Sequence, residues 1–385
     1  MHPEMEMVRC AIVRGGTSKG VFILKHELPN DPARRDAVIR AIYGSPDLRQ
    51  IDGLGGADVL TSKLAIISPP SRPDADVDYT FGQVSFETEF IDYAGNCGNI
   101  SAAVGPFAID EGLVAPQEPV TRVRIHLTNS GRLLVAEVPV KDGKARVEGD
   151  YAIDGVPGTG ARITLDWSDT AGAITGKLLP TGSAKDVFEV DGKAYTISLV
   201  DAGNPLVFIH ASSLGLRGTE TPQEIEANRP LMALIERIRG KAAVICGLVE
   251  RPEDAAAKSP YTPFFAIVSP PADYRTYSGK DVKAADVDLV SRLLFMLRMH
   301  KAYPVTGTVC TGAAVRIPGS VAWDVLREAA RSRVTVQIGH PGGIIPVESE
   351  AEVAGGRVQL RRIGVYRTAR RIMDGYAYVR KSVYR

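Results

Sequence analysis

A chain of 385 residues with 46 Lys+Arg against 45 Asp+Glu carries a formal net charge of +1, and 44% of its residues are hydrophobic. That balance gives no bulk electrostatic drive toward nucleic acid or an anionic membrane surface, and the apolar content excludes a disordered chain. The length fits two domains, and 38 Gly with 25 Pro point to many turns and short elements rather than a helical bundle.

The opening stretch MHPEMEMVRC has neither the basic nor the apolar region of a secretory signal. No apolar run approaches the ~18 residues of a membrane helix, so a cytoplasmic protein without membrane contact is expected. Alternating apolar residues predict strands at 8–13 and 21–24, flanking the Gly-rich turn 14–20, and a helix follows at 32–43. Period-2 patterning returns through 76–90 and at 123–127. Asn129-Ser130-Gly131 then turns the chain into a strand at 133–140, and Asp142-Gly143 marks another hairpin turn. The Gly-, Thr- and Asp-rich stretch 154–182 predicts a boundary near Lys185, giving domains 1–185 and 186–385. Strands are expected again at 187–190, 195–199 and 206–210. Two helices are then expected: one over 222–239 with Leu231, Leu234, Ile235 and Ile238 as its stripe, and one over 286–300 with Leu289, Leu293, Met296 and Leu297.

Four cysteines, Cys10, Cys97, Cys246 and Cys310, lie far apart with no C-x-x-C, and the six histidines are scattered. This pattern fits free thiols in a reducing compartment and no metal site. Two of the cysteines sit in similar surroundings. Asn96-Cys97-Gly98-Asn99 leads into ISAAVGPFAIDEGLV, and Val309-Cys310-Thr311-Gly312 leads into AAVRIPGSVAWDVL. Each reads as a strand followed by the start of a buried helix, which suggests a duplicated unit. At a helix start the macrodipole and unpaired N–H groups favour a thiolate, and the same N–H groups hold a carboxylate. Cys97 is thus a candidate acid/base, with Asn96, Gly98 and Asn99 as carboxylate holders; Cys310 is weighed evenly between function and core.

Lys63 opens the apolar run KLAII after a Gly-rich loop, a place where partial desolvation favours the neutral amine and makes it a candidate base. A lysine snorkelling from a strand end is the commoner alternative. Neither Gly16-Thr17-Ser18-Lys19-Gly20 nor Gly53-Leu54-Gly55-Gly56-Ala57-Asp58 satisfies a nucleotide-binding pattern. The first loop reads equally as a carboxylate cradle using Thr17, Ser18 and Lys19 or as a plain hairpin turn. Asn204, Arg292, His300, Thr311, Gly312, His340 and Gly342 are the further binding candidates of the second half.

The ordered motifs RGGTSKG (14–20), IDGLGGADVLTSKLAII (51–67), NCGNISAAVGPFAIDEGLV (96–114), DAGNP (201–205), DLVSRLLFM (288–296), TGTVCTGAAVRIPG (306–319) and IGHPGGIIPV (338–347) resemble the PrpF-type isomerases over nearly the whole chain. The resemblance implies the diaminopimelate-epimerase-like α+β fold, in which two similar domains each wrap a β-sheet around a central helix and share an active-site cleft. It implies a cofactor-independent 1,3-allylic proton shift in an unsaturated di- or tricarboxylate such as methylitaconate, 2-methylaconitate or 4-oxalomesaconate. Lys63 and Cys97 match the proposed acid/base pair, and Cys310 matches the second-domain thiol position of the epimerases. The expected partners are a small polycarboxylate and, for assembly, a second copy of the chain, with no nucleic acid. A two-thiol amino-acid epimerase or racemase, and a non-catalytic accessory to an aconitase-like dehydratase, are the competing readings.

Overall fold

The computed structural model describes residues 2–93, 95–355 and 357–384. The chain forms two compact units, Met1–Leu165 with Arg367–Arg385, and Asp166–Tyr366. In the first unit β1 (Met5–Gly15) and β2 (Ser18–Leu24) form a tight hairpin, and α1 (Pro32–Tyr43) precedes β3 (Lys63–Ser68) and β4 (Val77–Val84). Two short helical pieces, α2 (Gly98–Ser101) and α3 (Val104–Asp110), lead to the hairpin of β5 (Val120–Leu127) and β6 (Arg132–Lys141). α1 starts and stops where its sequence dictates. Asp31 accepts from Arg34 N at 2.9 Å, Pro32 occupies the first turn, and Gly44 ends the helix in the left-handed region.

The second unit holds β7 (Asp186–Val190), β8 (Lys193–Ala202), β9 (Asn204–His210), α4 (Pro222–Ala227), α5 (Arg229–Ile245), β10 (Phe264–Ser269), β11 (Leu289–Phe295), α6 (Val305–Ala314), β12 (Thr335–His340), β13 (Gly343–Ala354) and β14 (Arg357–Arg367), whose last residue, Arg367, belongs to the first unit. The last strand, β15 (Ala369–Arg380), belongs to the first unit and pairs antiparallel with β1.

Strand pairing shows the duplication directly. The first sheet runs β15-β1-β2-β3-β4-β5-β6 with antiparallel, antiparallel, parallel, antiparallel, parallel and antiparallel pairings. The second runs β7-β8-β9-β10-β11-β12-β13 with the same six relations in the same order. Each unit has helix on both sheet faces. In the first, Val21, Ile23, Leu64 and Ile66 pack with Val38, Ile39 and Ile42 of α1. Phe22, on the alternate face of β2, meets Phe107 of α3 with ring centroids 5.2 Å apart. In the second, Val207, Ile209, Phe265 and Ile267 pack with Leu231, Ile235 and Ile238 of α5, and α6 takes the other face.

Several expectations require correction. The segment 286–300 is not a helix: Leu289–Phe295 is a strand held antiparallel to β10 and parallel to β12. Every residue from Leu289 to Leu294 is buried, so the strand shows none of the period-2 alternation of a half-exposed one, and its leucines mimic helical spacing. The chain reverses at Met296 and Leu297, whose φ values are 51° and 58°. The helix expected over 222–239 is two helices extending to Ile245. Asn228 breaks it and caps α5, accepting from Leu231 N at 3.1 Å, with Pro230 in the first turn. The first compact unit is completed by β15, which returns to pair with β1.

A strand-to-strand turn with two left-handed residues favours Asn-Gly. Met296→Asn with Leu297→Gly is therefore expected to raise stability by about 1 kcal/mol, seen as a higher urea midpoint. The same pair inside a helix would lower it by a similar amount.

Candidate active site

The site of the first unit is built where the β1–β2 hairpin meets the start of α2. Gly16 and Thr17 form the two-residue turn, with Gly15 registered to Ser18. Gly16 stands at φ 52°, and a Cβ there would overlap Asn99 Oδ1, while one on Gly15 would overlap the Asn99 carbonyl. Only glycine at both positions lets the turn lie on the helix start. Asn99 Oδ1 accepts from Thr17 N at 3.3 Å and from Arg367 Nε at 3.0 Å. The loop is thus a two-residue hairpin turn. The N–H groups of Gly16 and Thr17 are taken by Thr368 O and Asn99 Oδ1, leaving the hydroxyls of Thr17 and Ser18 as the polar groups the turn offers. Ser18 Oγ is buried with no hydrogen-bond partner among the described residues. Lys19, half-buried, points to the face of β2 opposite Ser18.

Cys97 is the N-cap residue of α2, 7% exposed, and its side chain caps no N–H of the turn. Gly98 and Asn99 follow in the first turn, where a helix has no internal acceptor for their N–H groups. Asn96 is buried beside them.

Lys63 reaches the same place by strand register. It is the first residue of β3 and the parallel partner of Gly20, and the Ile100 side chain packs over Gly20. Leu64 and Ile66 face α1, so Lys63 faces the other way, toward α2 and α3, at the end of the sheet where Cys97 sits. It is 4% exposed. Its Nζ donates to Gln83 Oε1 at 3.0 Å and stands 5.5 Å from the centroid of Phe81. Gln83 is fixed in turn by donating to Ser62 O at 3.0 Å, and Tyr43 OH donates to the Lys63 carbonyl. The preceding Gly-rich loop is folded around Gln50, whose Nε2 donates to Ser62 Oγ at 2.9 Å and whose Oε1 accepts from Ala57 N at 2.8 Å.

The corresponding corner of the second unit carries different chemistry. Asn204 opens β9 as Ser18 opens β2, and its Nδ2 donates to Thr306 Oγ1 at 2.9 Å in the first turn of α6. Asn204 Oδ1 is buried with no partner among the described residues. Phe264 opens β10 where Lys63 opens β3. Its neighbour across the sheet, in the position of Gln83, is Phe295, with ring centroids 5.5 Å apart. Pro304, not a cysteine, is the N-cap of α6. Cys310 lies inside that helix instead of at its start, donates to Val200 O at 3.2 Å, and burial pushes its thiol well up.

The remaining candidates of the second unit hold its framework together. Thr311 Oγ1 bonds Tyr303 OH at 2.9 Å, which bonds Ser291 Oγ at 2.8 Å, and Gly312 O accepts from Ser349 Oγ at 2.6 Å. Arg292 alternates with Ser291 on β11 and so faces away from α6. It donates to Glu220 O at 2.7 Å and lies 4.8 Å over the Tyr274 ring, and burial lowers it to about 10. His300 Nδ1 accepts from Ala302 N at 3.1 Å. His340 Nδ1 accepts from Gly342 N at 3.1 Å across the turn to β13. Asn204 and Thr306 thus meet at a helix start, and the ring of Tyr303, beside the N-cap Pro304, lies 6.1 Å from that of His340. Gln83 and Arg367 carry no motif signal, since each is recognised only by its partner across the sheet or at the helix start, whereas Thr306 opens the motif 306–319 without being singled out by it. Among the described residues no three His, Cys, Asp or Glu converge as metal ligands, and no helix is long and apolar enough to cross a membrane.

A family model described as PrpF protein matches residues 5–380. The chain is 54% identical over 376 residues to 3-methylitaconate isomerase of Eubacterium barkeri, covering 97% of this chain and 98% of that protein. It is 42% identical over 376 residues to (4E)-oxalomesaconate Delta-isomerase of Novosphingobium sp. strain KA1, covering 98% of each. The crystal structure of a methylitaconate-delta-isomerase superposes with a TM-score of 0.88 at 53% identity, over 99% of this chain and 98% of that one. A hydroxyproline epimerase from Agrobacterium vitis matches at TM-score 0.55 and 13% identity, over 98% of this chain and 94% of that one, which places both in the diaminopimelate-epimerase-like fold.

Removing the partner of a buried amine is costly. Gln83→Leu is expected to lower stability by about 1–3 kcal/mol in urea denaturation. In a Lys63→Met background the same change should cost less, and the coupling in that double-mutant cycle measures the Lys63–Gln83 bond.

Proposed function

The chain belongs to the PrpF family and is an isomerase, and we propose that it moves a C=C bond within a small unsaturated polycarboxylate by a 1,3-proton shift in which Lys63 and Cys97 are the acid/base groups. What supports this reading is that buried Lys63 opens β3 opposite Gly20, against which Ile100 packs, and that Cys97 is the N-cap of the helix that holds Ile100. The relatives named for methylitaconate and oxalomesaconate act on substrates of this class, and their identities make such a carboxylate the substrate to test here.

The chemistry follows from what each group holds. A C–H next to an alkene and a carboxylate is acidified by delocalisation of the carbanion into a dienolate. One of Lys63 and Cys97 accepts that proton, and negative charge moves onto carboxylate oxygen. N–H groups of the first turn of α2, with the hydroxyls of Thr17 and Ser18, are placed to meet this charge as it develops. A proton is then returned at the far allylic carbon, by the same group or its partner, and the double bond has moved with no net gain or loss of atoms. Gln83 keeps the Lys63 amine aimed while it exchanges a proton.

A two-thiol epimerase needs a second cysteine at the second helix start. Pro304 stands there and Cys310 is locked inside the helix, so that alternative is not favoured.

Proton NMR in D₂O with methylitaconate, 2-methylaconitate and 4-oxalomesaconate tests the proposal. Solvent deuterium should enter an allylic position as the double bond migrates in at least one of them, and a wholly inert panel would refute it. Lys63→Met and Cys97→Ala should each lose about 10²–10⁴-fold in kcat. Cys310→Ala should keep kcat within about 2-fold, and a loss as large as that of Cys97→Ala would restore the two-thiol reading.

A further inference from the structure

One buried cation of the first unit has no part in the proton transfer. Arg367 ends β14, is 5% exposed, and donates from Nε to Asn99 Oδ1 at 3.0 Å. Its Cδ stands 3.0 Å from where a Cβ on Gly16 would lie, so the glycine of the turn also makes room for this side chain. Burial lowers the guanidinium to about 10, opposed by its electrostatic interactions with Tyr151 and Cys97, and it stays charged at neutral pH. Taking a guanidinium out of water costs several kcal/mol, and a neutral donor such as the Thr17 N–H already serves Asn99 Oδ1. What a neutral donor cannot supply is a fixed positive charge behind the first turn of α2.

We propose that Arg367 is the positioning residue of this site, fixing Asn99 and holding a permanent positive charge beside Cys97 that draws a substrate carboxylate to the helix start. The geometry stands by itself; the catalytic consequence rests on the proton-transfer reading above. Arg367 keeps its protons throughout, and the transferred proton passes only between the allylic carbons and the acid/base groups. Its charge steadies the dienolate formed by the first transfer, and steadies the thiolate of Cys97 before that step if Cys97 takes the proton or after the second step if Cys97 returns it. Lysine at this position would retain charge but lose the Nε–H that orients Asn99.

The test compares alkylation of Cys97 by iodoacetate and by iodoacetamide, followed peptide by peptide with mass spectrometry, in the wild type, R367K and R367Q. The same sulfur attacks the same carbon in both reagents, so the ratio of the two rates reports local charge and cancels any change in thiolate fraction. The iodoacetate/iodoacetamide ratio should fall about 10-fold in R367Q and stay within about 2-fold of wild type in R367K. An unchanged ratio in R367Q overturns the proposal. With the isomerase substrate, R367Q should raise KM and lower kcat together, and R367K should recover most of the KM. Equal losses in both variants mark a purely structural arginine and also overturn it. R367M replaces R367Q if circular dichroism shows that variant unfolded. Should the wild type isomerise nothing on the panel, the proton-transfer reading fails, and the reagent ratio still decides the role of Arg367.

Discussion

The site depends on one steric fact: a two-residue hairpin turn lies directly on the first turn of a buried helix. Gly15 and Gly16 have no Cβ to hold the Asn99 backbone and amide away. The consequence is chemical as well as geometric. The approach brings the Thr17 N–H onto Asn99 Oδ1, sets Ser18 at the edge of the helix start, and leaves a slot that the Arg367 side chain fills. On the proposed reading, a neutral chain holds a polyanion through first-turn N–H groups and an enclosed guanidinium rather than through an excess of basic residues.

The two units repeat one sheet order and set different chemistry on it. Where the first has Lys63 bonded to Gln83, the second has Phe264 against Phe295. Where the first has Cys97 as N-cap, the second has Pro304. The second copy keeps a polar helix start through Asn204 and Thr306. The proposed proton transfer needs only one acid/base set, and Lys63 and Cys97 are matched by Phe264 and Pro304 in the second copy.

Much of the fold was legible because local signals agree with tertiary packing. α1 has a capping Asp, a first-turn Pro and a terminal Gly, so its bounds follow from its own residues. The motif residues Lys63 and Cys97 announce themselves by being reactive types in Gly-rich or apolar surroundings. The failures have two causes. β11 is enclosed on both faces, so its pattern of leucines has no solvent side from which to read a period, and their spacing imitates a helix. Cys310 resembled Cys97 because both precede small residues, but its helix begins six residues earlier, at Pro304 as N-cap. Small residues around Cys310 serve close packing, as Gly312 does against Val347.

By itself the sequence determined the elements with strong ends, the duplicated α+β plan, the family motifs and the reactive side chains, since all of these are written within a few neighbouring residues. Only the tertiary structure decided that Gln83 aims Lys63, that Arg367 stands at Asn99 across 268 positions of chain, and that the last strand returns to pair with the first. These depend on strand register and on the close approach of distant backbone, and neither leaves a mark in the composition of the segments it joins.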